Sequence, residues 1–277
     1  FNLNYNLNRT GNDRFDDLDR SFTPSNDAVT KHIVGLTYSQ SFFEGKMQNV
    51  FFAKDYVNHP NIRQTDQSSV TGSDKVQGST TKNYVGYGAG VRYMFLDPLA
   101  LKVSFEHSVR LPVARELLGN GTTIYANVAL EPEKSNNLNL SVFGTWHPAT
   151  GHTLHYETNG FLRYVDNYIQ TSVIEKEGML QYVNDPAVHI KGVEGEIRYD
   201  WDGRLQFMAN VSYQDARDQQ KYKEDGKPSA TYDNHVPNRP WLFGSAEASY
   251  TFRDLWKRGN RLRFGCSCQW VHWYFLT

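Results

Sequence analysis

Apolar and polar residues alternate along this chain in segments of about ten, and the segments come in pairs joined by short turns. The turns centre near Gly45, Asp97, Thr150, Gly203 and Trp256, an interval of 52 or 53 residues. Between hairpins lie the longer polar stretches 13–31, 58–83, 111–135, 166–186 and 215–238. Short turn, long strand and long connection in regular succession predict an antiparallel membrane β-barrel.

Eleven strands are read from the pattern. One carries Tyr87, Ala89, Val91, Tyr93 and Phe95 on one side and Gly86, Gly88, Gly90 and Arg92 on the other. The next sets Leu99, Leu101, Val103 and Phe105 against Lys102, Ser104, Glu106, Ser108 and Arg110. Further along, Leu205, Phe207, Ala209, Val211 and Tyr213 oppose Gln206, Asn210, Ser212 and Gln214. The segment 47–57 is ambiguous, because either Val50 and Phe52 or Phe51 and Ala53 could form its apolar side. Apolar sides are almost free of charge, with Lys191 an exception near a connection. A Lys or Arg facing lipid at mid-membrane costs about 2–4 kcal/mol, so its scarcity there is expected.

A soluble sandwich would alternate in the same way. Aromatic placement separates the two. Phe42, Phe43, Tyr93, Phe95, Trp146, Tyr199, Trp201, Tyr250 and Phe252 all lie where a strand enters a short turn. A girdle at one membrane interface requires that placement, whereas a soluble core does not. The interval also suits a kelch propeller, but a blade needs four short strands per repeat and this chain supplies two long ones.

The chain has 277 residues and a net charge of −1. Its mean hydropathy is −0.62, and no apolar run is long enough for a transmembrane helix. No basic stripe points to nucleic acid. Cys266 and Cys268 share one side of a strand and are read as small wall residues, not as a disulfide or a metal knuckle. Residue 1 and residues 273–277 both fall within strand patterns, which predicts that the polypeptide continues at both ends.

Candidate chemistry is sparse. Gly86-Tyr87-Gly88-Ala89-Gly90 lacks dinucleotide-loop spacing and reads as inward glycines that leave room inside a barrel. Asp16-Asp17-Leu18-Asp19 lacks the closing Gly and Glu of a calcium loop. Asn120-Gly121-Thr122 matches a glycosylation sequon and reads as a turn. No HExxH, GxSxG or metal-ligand spacing is present, so no cofactor, metal or catalytic residue is expected. The inward side carries Arg92, Lys102, Glu106, Arg110, Glu157, Arg163, Glu194, Glu196, Arg198, Glu247 and Arg263. That mixture suits either a water-filled lumen or one filled by a folded plug.

Residues 108–140 carry a more specific signal. Ser108-Val109-Arg110-Leu111-Pro112, Arg115-Glu116-Leu117-Leu118-Gly119, and Asn127 to Leu130 followed by Glu131-Pro132-Glu133-Lys134-Ser135 resemble a signature of TonB-dependent outer-membrane receptors. Val128 stands where that family often has Pro. Asn184 with Gly192-Val193-Glu194-Gly195-Glu196 resembles a later motif, as does Val236-Pro237-Asn238-Arg239-Pro240 before the strand ending Tyr250-Thr251-Phe252. Motifs cover 84–277, and the earlier hairpins agree in pattern.

The resemblance implies an all-β, antiparallel up-and-down transmembrane β-barrel of 22 strands with a plug. Residues 1–277 would be part of one barrel domain, about 11 of those strands, without the plug. It further implies active uptake of a scarce ligand, a ferric siderophore by default, in the outer membrane of a Gram-negative bacterium. The implied partners are the TonB complex through an N-terminal segment outside this sequence, the plug of the same polypeptide, outer-membrane lipid and a small ligand such as an iron chelate. A passive porin-like channel is the alternative; a barrel enzyme would need a nucleophile constellation that is missing here. Ligand contacts are expected from Arg110, Arg115, Tyr125, Arg239 and Trp241, whose guanidinium forks and flat rings suit anionic or aromatic chelates.

Overall fold

A computed structural model describes residues 1–14, 25–65, 75–79, 81–120, 123–174, 178–222 and 226–275. The Asp16–Asp19 run, Gly121-Thr122 of the sequon, most of the stretch from Gln67 to Lys82, and Asp225 lie outside the described residues.

One antiparallel sheet dominates. Its strands are β1 (Asn2–Arg14), β2 (Ser25–Phe42), β3 (Met47–Thr65), β4 (Lys75–Ser79), β5 (Lys82–Leu96), β6 (Leu99–Arg110), β7 (Ile124–Tyr125), β8 (Glu133–Trp146), β9 (His152–Ile174), β10 (Met179–Trp201), β11 (Leu205–Asp218), β12 (Leu242–Arg253) and β13 (Arg261–Val271). Eleven of them follow one another in sequence order across the sheet, while β4 and β7 add to β3 and β10. The path ends at β1 and β13, so the sheet is partial and not closed. The described helix is a single short one, α1 (Ala114–Leu118).

Register fixes the faces, because directly paired residues point the same way. Val91, Val103, Leu140, Gly160, Val193 and Tyr213 form one continuous row across six strands. The adjacent row on the other side is Arg92, Lys102, Ser141, Asn159, Glu194 and Ser212. Tyr87, Val91, Val103, Phe105, Leu138, Leu140, Val193, Ile197 and Val211 are all exposed on the apolar face. A soluble domain would bury such a continuous apolar surface, whereas a barrel wall turns it to lipid. In β3, Phe51 pairs with Ala89 and Ala53 with Tyr87, which puts Phe51 and Ala53 on the apolar face.

All five short connections join neighbouring strands at one end of the sheet. In one of them Asp202 and Gly203 both take left-handed backbone, with φ of 51° and 61°, as tight hairpin turns that follow strand twist require. Tyr93, Trp146, Tyr199, Trp201, Tyr250 and Phe252 lie on the apolar face beside these turns, in register with Leu101, Leu154, Leu205, Phe264 and Leu262. Ring contacts run through the band: Tyr93 with Phe95, His152 with Trp201, Tyr250 with Phe252, and Phe252 with Phe264.

The strands are longer than the alternation suggests. β9 and β10 run for 23 residues each and pair well into the stretches read as connections. Backbone pairing continues beyond the lipid, where nothing forces apolar residues onto every second position.

Candidate functional site

At the long-connection end the polar face turns apolar. Phe161, Val165, Val188, Ile190 and Ala216 are buried there together with Tyr168 and Val236. The segment after β11 covers them: it folds back along that strand, with Val236 N–H donating to Ala216 O and Asp218 N–H to Asn234 O. A second cluster joins Val29 of β2 to Leu117, Leu118 and Leu130 of the 111–132 connection and to Ile169 of β9. That connection therefore reaches from β2 to β10. At one end Lys31 Nζ donates to Pro112 O at 2.6 Å. At the other, β7 pairs with β10 through Leu180 and Gln181.

Arg110 organises this region. Its Nε and Nη2 donate to the two oxygens of Glu133, both at 2.8 Å. Its Nη1 donates to Glu116 at 3.0 and 3.1 Å. Glu116 reaches back to accept the Val113 N–H at 2.8 Å, closing the first turn of α1. Glu133 also accepts the Ile169 N–H at 2.8 Å. Hydrogen bonds to Glu133 hold the Arg110 guanidinium even more firmly charged than usual. Next to Ile169, the Tyr168 hydroxyl accepts from Arg239 Nε at 2.7 Å, and the Arg239 guanidinium lies over the Tyr168 ring. One polar network thus ties both connections to β9.

The five residues expected to contact ligand fall into two groups. Arg110, Arg115 and Tyr125 belong to the end of β6 and the 111–132 connection. Arg239 and Trp241 precede β12. Arg110 and Arg239 are engaged as described, and Trp241 Nε1 donates to Trp273 O at 2.7 Å within a group of rings that includes His235 and His272. Tyr125 is partly buried beside Gln181. Arg115 is exposed and has no ion-pair partner among the described residues. Sequence reasoning did not single out Glu116, Glu133, Tyr168 and Lys31 as part of this network. The signal for two of them was present, since Glu116 and Glu133 stand inside the motif at 108–135.

Several motif residues have an architectural task here. Asn184 Nδ2 donates to Glu131 O and Asn167 O, and its Oδ1 accepts the Glu131 N–H. Asn127 Nδ2 donates to Tyr182 O. Gly119 has φ 66°, and a Cβ there would sit 2.2 Å from Ile124 O.

Asp185 is buried at this same end, and burial followed by repulsion from Asp218 pushes its carboxyl up to about 6. One of its oxygens, Oδ1, has no hydrogen-bond partner among the described residues, while Oδ2 accepts from Gln170 Nε2 at 3.1 Å. A carboxyl raised in the folded state favours the protonated form, so its stabilisation is present below the ordinary carboxylate range and is lost as pH rises through about 6. Amide exchange around 178–190, corrected for intrinsic rate, should be slower at pH 5 than at pH 7. Asp185→Asn should remove the difference and stabilise the region at pH 7 by about 1–3 kcal/mol. Equal protection of the wild-type protein at both pH values would contradict this.

Below the mouth, the polar face carries Lys102, Glu157, Glu194 and Glu247 without an ion-pair partner among the described residues, while Lys54 meets Glu106 at 3.2 Å. Two inward glycines are covered by the wall's own rings. The Phe52 ring lies over Gly88, where a Cβ would come within 2.5 Å of it, and the Tyr56 ring lies over Gly86. Room for another group remains at Gly90, where a Cβ would meet no side chain nearer than Ser104, at an ordinary 3.5 Å. Among the described residues no cluster of histidine, cysteine and acidic side chains could hold a metal ion.

Comparison with known proteins places this architecture. The family model for the TonB-dependent receptor-like β-barrel matches residues 1–271. No curated protein matches the chain by sequence. Among solved structures, the copper transporter OprC superposes with a TM-score of 0.63 at 16% identity, over 96% of this chain and 44% of that one. The Serratia marcescens hemophore receptor HasR, solved with its hemophore HasA and heme, gives 0.60 at 15% identity over 97% and 56%. The FrpB iron transporter of Neisseria meningitidis gives 0.57 at 14% identity over 85% and 32%. At these identities the likeness is one of fold, and the chain spans roughly a third to just over half of each of these three structures. With the family model matched along nearly its whole length and an antiparallel sheet of the same architecture, the chain belongs to the TonB-dependent receptor-like β-barrel family.

Proposed function

We propose that residues 1–277 are part of the barrel of an outer-membrane receptor that takes up a scarce ligand actively, a ferric siderophore first among candidates. The whole receptor would draw energy from the TonB complex and would hold a plug inside the barrel. Its lipid contact would be the apolar face, and its place the outer membrane of a Gram-negative cell. Such a protein transports its ligand and does not transform it.

The observation that carries this reading beyond the family is the built mouth. The described parts of the connections 111–132 and 219–241 are held on the sheet by buried clusters and a shared polar network. A channel for passive diffusion has no need of such a platform, whereas recognition of a scarce ligand needs one held rigid. Arg115, exposed on α1, and the rings around Trp241 would then meet an anionic or aromatic chelate. Arg110 and Arg239 would serve by holding that surface in place.

The test is uptake by the whole receptor in iron-starved cells supplied with radiolabelled ferric chelates. The reading expects saturable uptake that disappears when TonB is deleted. Non-saturable passage of small solutes, unchanged without TonB, would establish the porin alternative.

A further inference from the structure

The polar face holds a recess of about 630 Å³ whose chemistry is incomplete. Its floor is at Gly90, the inward glycine that no ring of the wall covers. Arg92 and Lys102 line it from neighbouring strands and are directly paired in register. Like charges directly opposite each other on one face of a sheet are destabilising by themselves. Lys102 has no carboxylate within ion-pair distance among the described residues. Arg92 donates through Nη1 to a neutral oxygen, that of Gln48, at 3.3 Å, and its guanidinium lies over the Phe143 ring. Its Nε is buried and has no hydrogen-bond partner among the described residues. Two cations paired on one face, neither with an acidic partner among the described residues, call for an anion. The carboxylates nearby do not supply it: Glu106 is taken by Lys54, and Glu157, across the recess, makes no ion pair among the described residues.

We propose that Arg92 and Lys102 form a carboxylate-binding site on the inner wall, and that its occupant is an Asp or Glu side chain of the plug. The inference rests on the reading that a plug fills the barrel. Charge complementarity selects the occupant. The site is on the polar face, nearer the short turns than the mouth network, since Arg92 and Lys102 are five and four residues from Asp97 and Pro98, the turn that joins their strands. A carboxylate would bridge the two cations, accepting from the terminal nitrogens of Arg92 and from Lys102 Nζ, and offset their repulsion.

Carbodiimide coupling of the full-length receptor tests the chemistry directly. The reagent joins a lysine amine to a carboxylate in contact with it as an amide, taking up the water lost. Peptide mapping by mass spectrometry should find Lys102 joined to an acidic residue of the plug. Lys102→Arg should abolish that product while keeping the receptor closed in planar bilayers. Arg92→Gln combined with Lys102→Gln should leave the barrel folded and raise the open fraction about tenfold or more, the result of losing charge-assisted contacts. Arg92→Lys should open it less. The proposal is overturned if Lys102 couples only to Glu106 or Glu157, if it remains freely acetylated, or if the double variant weakens ferric-chelate uptake without altering conductance. A wild-type full-length receptor that conducts as an open pore would instead defeat the reading of a plugged transporter.

Discussion

Replacing Arg110 with alanine should loosen the 111–132 connection and destabilise the mouth by about 2–4 kcal/mol. The guanidinium bridges Glu116 and Glu133, whose side chains are only 11% and 14% exposed. Its removal leaves two nearly buried carboxylates near each other with no cation between them. Breaking a buried pair in this way costs about 3–5 kcal/mol, lowered here because the Arg110 side chain is 42% exposed and partly screened by water. Glu133 also holds the Ile169 N–H, so the disturbance should reach β9. Arg110→Lys should recover only part of the loss, because a point charge cannot serve two carboxylates as a planar fork does. Limited proteolysis between 111 and 132 should become at least tenfold faster in Arg110→Ala, as a loss of more than about 1.4 kcal/mol in local stability requires. If the variant resists proteolysis like the wild type yet loses ligand, Arg110 touches the ligand directly and the expectation drawn from its position in the sequence is the right one.

The transmembrane part of the sheet was legible in the sequence, and the mouth was not. Lipid demands an apolar residue at every second position and closes hairpins with short turns, and both demands leave a periodic trace. That trace yielded the eleven sequential strands, the band of rings beside the turns and the row of inward charges. It faltered at 50–53, because Phe52 is apolar and yet inward, its ring covering Gly88. The same glycines were read as room for an occupant, and only Gly90 keeps that room.

Above the lipid the pairing persists without alternation, so β9 and β10 extend to Ile174 and back from Met179 with no periodic signal. The clusters around Leu117 and Tyr168 combine residues far apart in the chain, which a one-dimensional pattern cannot convey. Family motifs pointed to that region all the same. Glu116, Gly119, Asn127, Glu133 and Asn184 stand in the motifs as residues that fold the connection, each through a named backbone or ion-pair contact. A motif that builds a platform is read from sequence as easily as one that binds a ligand, and only the contacts tell them apart.

Gly192→Ala should destabilise the sheet by about 1–3 kcal/mol or more, although it adds a single methyl group to a strand. A Cβ at this position would lie 2.3 Å from Tyr213 O on β11 and 2.5 Å from the Phe161 ring on β9. Phe161 is paired with Gly192 across the strands and covers it, and the Arg163 guanidinium in turn lies over the Phe161 ring. The glycine that opens the Gly192-Val193-Glu194-Gly195-Glu196 motif therefore admits a ring which begins the buried cluster beneath the mouth. Two nearby glycines supply controls. A methyl at Gly160 meets nothing within 4 Å, and one at Gly195 meets Val211 at an ordinary 3.9 Å. Alanine at either should change stability by no more than about 0.5 kcal/mol, with a small gain possible because glycine within a strand is entropically costly. Adding Phe161→Ala to Gly192→Ala should restore only part of the loss, since the carbonyl of Tyr213 remains in the way and a cavity opens where the ring lay. Denaturant unfolding of the detergent-solubilised full-length receptor separates these cases. If Gly192→Ala unfolds at the same denaturant concentration as Gly160→Ala, Phe161 does not lie over Gly192 and the pairing of β9 with β10 is shifted from the register described.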